Sequence, residues 1–232
     1  PGHLEANSPC INAGTAVAGL SATDIDGEPR IMPLSGGVVD IGADEFDATP
    51  PTTPVVTDDG QFTSSTTTLH ATWSSTDGES WITEYYYAIG TAPYPDTGWD
   101  SVTQGWASAG TAADVTRNDL TLTSGTTYYF SVKAQNQSGL WSEAGASDGI
   151  TVAYTVTTVS EALAHATGDA LGLGSRIVST NTGEFTNAFY VQDPSGPIKG
   201  IKIVWTGASV SRGQIVTVTG AKQIDDTYKE AY

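Results

Sequence analysis

Apolar residues recur at every second position in several short stretches of this 232-residue chain. Leu69, Ala71 and Trp73 share one face of such a run, and Ile82 is followed by Tyr85, Tyr87 and Ile89. The longest alternating run carries Tyr128, Phe130, Val132 and Ala134. Period-2 alternation marks a strand with one buried face, and the Gly, Ser, Thr, Asn and Asp clusters between runs supply turns. Further runs lie at 176–179, 188–193, 198–205 and 213–220. A helical period appears at 158–165, where Thr158 or Ser160 caps a short helix carrying Val159, Ala162 and Leu163. The pattern predicts an all-β chain of many short strands.

The first 48 residues read differently. Their apolar residues come in pairs, Cys10-Ile11, Ile31-Met32 and Val38-Val39, between turn-forming stretches at 24–27 and 35–37. So small and glycine-rich a segment has too few apolar side chains to offset its chain entropy. It is expected to pack against something upstream. Pro50, Pro51 and Pro54 then favour an extended, semi-rigid spacer. The expected organisation is a segment 1–48, a linker 49–54, a module 55–153 and a module 154–232.

Three resemblances refine this. The stretches Ser8-Pro-Cys-Ile-Asn-Ala-Gly14, Asp24-x-Asp-Gly-x-Pro-Arg30 and Val39-Asp-Ile-Gly-Ala-Asp-Glu-Phe46 resemble the last coil and C-terminal cap of right-handed parallel β-helix proteins. Such proteins occur among bacterial secreted enzymes and surface proteins. The resemblance implies stacked rungs before Pro1, with short parallel rungs here and Ile11, Val39 and Ile41 pointing inward. Residues 55–153 resemble a fibronectin type III domain. Trp73 would be the core tryptophan of the second strand, and Tyr128 the corner tyrosine, six residues after Leu122. Residues 158–232 resemble the OB-fold-like modules of bacterial extracellular nucleases and surface proteins, through Phe189-Tyr-Val-Gln-Asp-Pro194, Gly200-Ile-Lys-Ile203 and Gly213-x-x-Val-x-Val-x-Gly220. The fifth strand of such a barrel is expected near Tyr228, so the barrel is expected to be incomplete, with an unpaired edge. The expected fold class is therefore all-β: the end of a parallel β-helix, a fibronectin type III β-sandwich and an incomplete OB-like β-barrel.

Charge narrows the partners. Of the formal net −17, residues 1–153 hold 3 Lys/Arg against 19 Asp/Glu, a net of −16, and residues 154–232 hold 6 against 7, a net of −1. The first part repels polyanions such as nucleic acid. An acidic, lysine-poor surface fits a secreted or cell-surface setting. Cys10 stands alone, which excludes an internal disulfide and suits a small buried apolar residue. No apolar stretch approaches the ~18 residues of a membrane helix. Without a signal peptide, the chain is expected to be a mature segment or a fragment.

Candidate chemistry is sparse. His3, His70 and His165 lie one to a module, and no nucleophile elbow, zinc-protease motif or phosphate loop occurs. Asp44-Glu45 is a carboxylate pair within the cap motif, where a structural role is expected. Asp24 and Asp26 offer hard oxygen ligands, so calcium is the candidate metal there; Asx-turn hydrogen bonding is the simpler account, with Arg30 pairing Asp26 or Asp40. Asp58-Asp59 is a weaker candidate of the same kind. Trp99, Trp106 and Trp141, with Tyr86 and Tyr94 nearby, either stack on sugar faces or close the open ends of the sandwich as packing, and Trp205 is expected to pack. Lys199, Lys202, Arg212 and Lys222 with Phe189, Tyr190 and Trp205 are the residues a single-stranded nucleic acid would need. The near-zero charge of their module and its acidic neighbour disfavour that ligand.

The leading expectation is a non-catalytic stretch of a large secreted or surface-attached bacterial protein, working in display, adhesion or assembly. Its partners would be other protein modules, copies of itself or polysaccharide, with no membrane span and no resident cofactor besides calcium. The alternative is the accessory tail of a β-helix polysaccharide lyase or glycoside hydrolase with its groove upstream. A third reading is OB-type nucleic-acid binding.

Overall fold

The computed structural model describes residues 4–5, 7–15, 17–27, 30, 38–46, 49–78, 80–94, 105–181, 183–195, 199–225 and 230–231. The strands are β1 (Val55–Asp58), β2 (Phe62–Thr63), β3 (Leu69–Ser74), β4 (Ile82–Gly90), β5 (Ala107–Gly110), β6 (Asp114–Arg117), β7 (Thr127–Asn136), β8 (Gly145–Ala146) and β9 (Ile150–Val152). After β10 (Tyr154–Val156) comes helix α1 (Val159–Ala164). The chain continues with β11 (Ala170–Val178), β12 (Ala188–Gln192), β13 (Gly200–Val204), β14 (Ile215–Ala221), β15 (Ile224–Asp225) and β16 (Glu230–Ala231). The chain is all-β in several sheets, as the alternation predicts, with α1 where the helical period lies. It divides into two compact units: Pro1–Asp58, His70–Thr116 and Tyr129–Asp148 in the first; Asp59–Leu69, Arg117–Tyr128 and Gly149–Tyr232 in the second.

In the first unit, β1 pairs antiparallel with β3, from Val55↔Ser74 to Asp58↔Ala71. A second sheet is built on β4, which pairs antiparallel with β7 from Ile82↔Asn136 to Gly90↔Tyr129 and with β5 on its other side. Alternation sends Phe130, Val132 and Ala134 inward at 0% exposure, with Tyr85, Tyr87 and Ile89 from β4. Trp73 lies 6.0 Å from the Tyr85 ring and 6.1 Å from the Tyr87 ring, so the expected core tryptophan is the centre of an aromatic cluster.

Residues 1–46 contain no strand among the described residues. Among the described residues the short parallel rungs expected there do not form; several backbone N–H groups bond carboxylates instead. Asp40 accepts from Asn12 and Phe46, Asp44 from Leu4, and Asp24 from Glu45. Val39 is buried as expected, but Ile41 is 52% exposed and Ile11 only half-buried. The chain passes itself closely here: a Cβ on Gly14 would sit 2.7 Å from the Val39 carbonyl oxygen, which accepts the Gly14 N–H. Cys10 is half-buried rather than buried.

In the second unit, the first residues of β7 pair with β9, and β9 pairs in parallel with β2. Thr123 donates its N–H to the Tyr128 hydroxyl at 3.0 Å, the corner contact that the resemblance implies for Tyr128. Tyr128 is 4% exposed. Tyr128→Phe leaves a partly buried N–H without an acceptor and is expected to cost about 1–2 kcal/mol, read as a lower denaturant midpoint at unchanged slope.

The rest of this unit is built on β11. It pairs in parallel with β10 and antiparallel with β12 and β14, and β12 pairs antiparallel with β13. A bulge between Leu173 and Arg176, with Ser175 at φ 54°, bends β11 so that its two halves serve different neighbours. Val156, Val159, Leu171, Leu173, Val178, Phe189, Val191 and Ile201 form its core. A cavity of about 670 Å³ remains, lined by β13 and β14 side chains including Ile203, Val216 and Val218. The short β16 pairs with β15 and lies beside β13, while Tyr228, the expected start of the last strand, falls outside the described residues.

Candidate functional site

Several chemically capable groups among the described residues bond the chain's own backbone. In the first unit, Asp24, Asp26 and Asp44 bring carboxylate oxygens within 4.8 Å of one another. Asp24 Oδ1 accepts the Asp26 N–H at 2.9 Å, the expected Asx turn, and its Oδ2 accepts the Glu45 N–H at 2.9 Å. Asp44, whose carboxylate also accepts the Leu4 N–H, completes the set. The hard carboxylate oxygens fit calcium in kind, and the same oxygens hold the local backbone.

Beside this turn lies a buried ionic group. Arg30 donates to the Gly42 and Ala43 carbonyls at 3.0 and 2.8 Å, and its guanidinium is 3.8 Å from Glu45. This corrects the expected pairing with Asp26 or Asp40: Asp40 bonds the backbone instead, and its N–H donates to both Glu45 oxygens. Glu45 is 3% exposed, and burial pushes its carboxyl up from 4.5 to about 7 against the pull of the Asp40 N–H and Arg30. A raised carboxyl favours the folded state most at low pH. Between about 4.5 and 7 the unfolded chain ionises while the folded chain holds the proton, so this contribution fades as pH rises through that window. Glu45→Gln is expected to flatten the fall in melting temperature across it, and a pH profile parallel to that of the unaltered chain would refute the assignment.

Aromatic residues on the outer side of the β4–β7 pairing form a ladder around one cation. The Lys133 ammonium lies 4.5 Å from the Trp141 ring centre, 4.9 Å from that of Trp106 and 5.7 Å from that of Tyr86. Tyr86 meets Trp141 edge-on at 5.1 Å, and Tyr94 meets Trp106 edge-on at 5.4 Å. The alternation that turns Phe130 and Val132 inward turns Lys133 outward, opposite Tyr86 in the register. Trp106 and Trp141 are thus brought together around the Lys133 ammonium. The outward position of Lys133 within an aromatic-rich run is the signal that sequence reasoning passed over. Trp99 lies outside the described residues.

In the second unit, basic residues anchor the fold. Lys222 donates through its ammonium to the Leu163 carbonyl at 2.6 Å and to that of His165, closing the end of α1. Arg212 pairs with Glu184 at 3.1 Å. His165 meets Asp169 at 3.1 Å, four residues on. Asp58 is buried, and no metal-competent cluster includes it or Asp59 among the described residues. Trp205, expected to pack, is 62% exposed, because β13 ends at Val204 and its alternation stops supplying a buried face.

No family model matches the chain, and no curated protein matches it. Among solved structures it is similar to domains A168–A170 of titin, at 24% identity over 44% of this chain and TM-score 0.31. It spans about a third, 31%, of that structure's length. It is also similar to titin module A71 from human cardiac muscle, at 21% identity over 45% of this chain and 92% of that one, TM-score 0.32. The FN1–FN3 domains of chicken CNTN1 match at 16% identity over 74% of this chain and 55% of that one, TM-score 0.31. These are distant similarities to immunoglobulin-like and fibronectin type III β-sandwich domains.

Proposed function

We propose that this chain is a non-catalytic modular segment of a secreted or surface-attached bacterial protein, serving display, adhesion or assembly. The observation that carries the reading is the commitment of its reactive side chains to its own backbone. Asp24, Asp40, Asp44 and Glu45 accept backbone N–H groups, and Lys222 donates to backbone carbonyls. A general base or nucleophile must instead be directed at a substrate. Fold alone names no ligand, so the role rests on these sites and on the acidic, lysine-poor composition.

The finer architecture belongs to the same proposal. Residues 1–48 are read as the cap of a parallel β-helix, supported by the Asp24, Asp40, Asp44 and Arg30 bonds that lock its motifs together. Residues 154–232 are read as an OB-like module, supported by the bulged β11 pairing with both β12 and β14 and by β16 beside β13. Two assays test the function. Antibodies raised against the chain are expected to label intact cells that make it; failure to label refutes the surface setting. The chain incubated with polygalacturonate, alginate or xylan is expected to release no new reducing ends or unsaturated product. Release of either favours the enzyme-tail reading.

A further inference from the structure

The second unit carries one feature that neither its core nor its ion pairs absorb. Phe185 and Trp205 are 45% and 62% exposed, and both line a single cavity of about 330 Å³. Two large rings left in water beside one concavity run against the usual burial of aromatic surface. The cavity is near the lower size limit for small-ligand sites. Its lining includes the apolar Ala208 and the buried Val210, and the exposed polar residues Thr186 and Asn187. The Thr186 and Asn187 side chains make no hydrogen bond among the described residues.

The two loops that carry the rings are tied together. The Trp205 N–H donates to the Asn187 carbonyl at 2.8 Å. The Arg212 N–H donates to the Asn181 side-chain oxygen at 2.9 Å, and its guanidinium reaches Glu184 at 3.1 Å. The Asn181 amide donates to the same carboxylate at 2.8 Å. Phe185 stands edge-on to Tyr190 at 5.1 Å. The loops are therefore set before any ligand arrives, which lowers the ordering cost of binding.

No charged side chain among the described residues lines this cavity, in a chain whose net charge is −17. Such a lining favours an uncharged ligand with apolar faces and hydroxyl edges over recognition by ion pairing. A pyranose ring has this chemistry: C–H faces for the rings, hydroxyls for Thr186 and Asn187. We propose that the Phe185–Trp205 cavity is a binding site for neutral pyranose units of a polysaccharide. The proposal gives the adhesive role a ligand and rests on that reading only for where the glycan is met.

The test uses the whole chain. Maltohexaose, cellohexaose, xylohexaose and chitohexaose are titrated by calorimetry, with tetragalacturonate as the acidic counterpart. At least one neutral hexaose is expected to bind. Trp205→Ala and Phe185→Ala are expected to weaken it at least about tenfold, with melting unchanged in Trp205→Ala because that side chain is 62% exposed, whereas Trp205→Phe retains most of the affinity. Trp141→Ala, in the ladder on Lys133, is expected to leave it within about twofold. No binding of any neutral hexaose, binding of tetragalacturonate alone, or affinity indifferent to Trp205→Ala overturns the proposal. Cell labelling that succeeds while every hexaose fails removes this site and leaves the surface role standing. Failed labelling with intact hexaose binding does the reverse.

Discussion

Trp73→Ala is expected to destabilise the first unit by roughly 3–5 kcal/mol, the cost of emptying a large aromatic site in a packed core. Trp73 is 5% exposed and lies between the rings of Tyr85 and Tyr87. Its N–H on the backbone donates to the Ala113 carbonyl at 2.9 Å, whereas its indole N–H has no acceptor among the described residues. The side chain is therefore held by ring surface alone. Trp73→Phe keeps part of that surface and removes the unpartnered donor, so it is expected to cost clearly less than the alanine variant. Chemical denaturation followed by far-ultraviolet circular dichroism measures both. A loss below about 1 kcal/mol for the alanine variant would place the ring outside the core.

The second large effect is expected at Asp193. Its carboxylate accepts the Val159 N–H at 3.0 and 3.2 Å at the start of α1, and lies 3.4 Å from Arg176 Nε. The two side chains are 10% and 5% exposed. Arg176 Nε makes no well-directed hydrogen bond, so the contact is an ion pair; the guanidinium donates instead to the Ser175 and Thr157 carbonyls. Asp193→Ala leaves a buried cation uncompensated and a helix N–H unpaired, and is expected to cost roughly 3–5 kcal/mol. Replacing both partners by leucine removes the stranded charge along with its partner, and is expected to be less destabilising than Asp193→Ala by itself. Equal losses in the two variants would show that the charge is not what the carboxylate compensates.

The candidate sites were unevenly legible. The Asx turn at Asp24 needs only residues two apart, and it forms as the spacing predicts. Asp44 joins Asp24 and Asp26 across about twenty residues, a meeting set by chain path. Residue type and place between strands single out Trp106 and Trp141, but the ammonium near both rings comes from a third element, β7. Trp205 was misjudged because alternation says which side a residue faces and not where the covering layer ends.

What the sequence by itself determined is local and periodic. The alternation at 69–73 and 128–134 reappears as strands with the same inward residues, Thr158 caps α1 by accepting the Glu161 N–H at 3.0 Å, and Tyr128 closes its corner on Thr123. Each depends on spacing within a few residues, which the backbone converts directly into geometry. What only the tertiary structure decided is which distant groups meet: Arg30 with Glu45, Arg176 with Asp193, Lys133 with its rings, Phe185 with Trp205 around one cavity. These contacts depend on register, bulges and loop paths, which take their energy from the whole packed unit and leave no period in the chain.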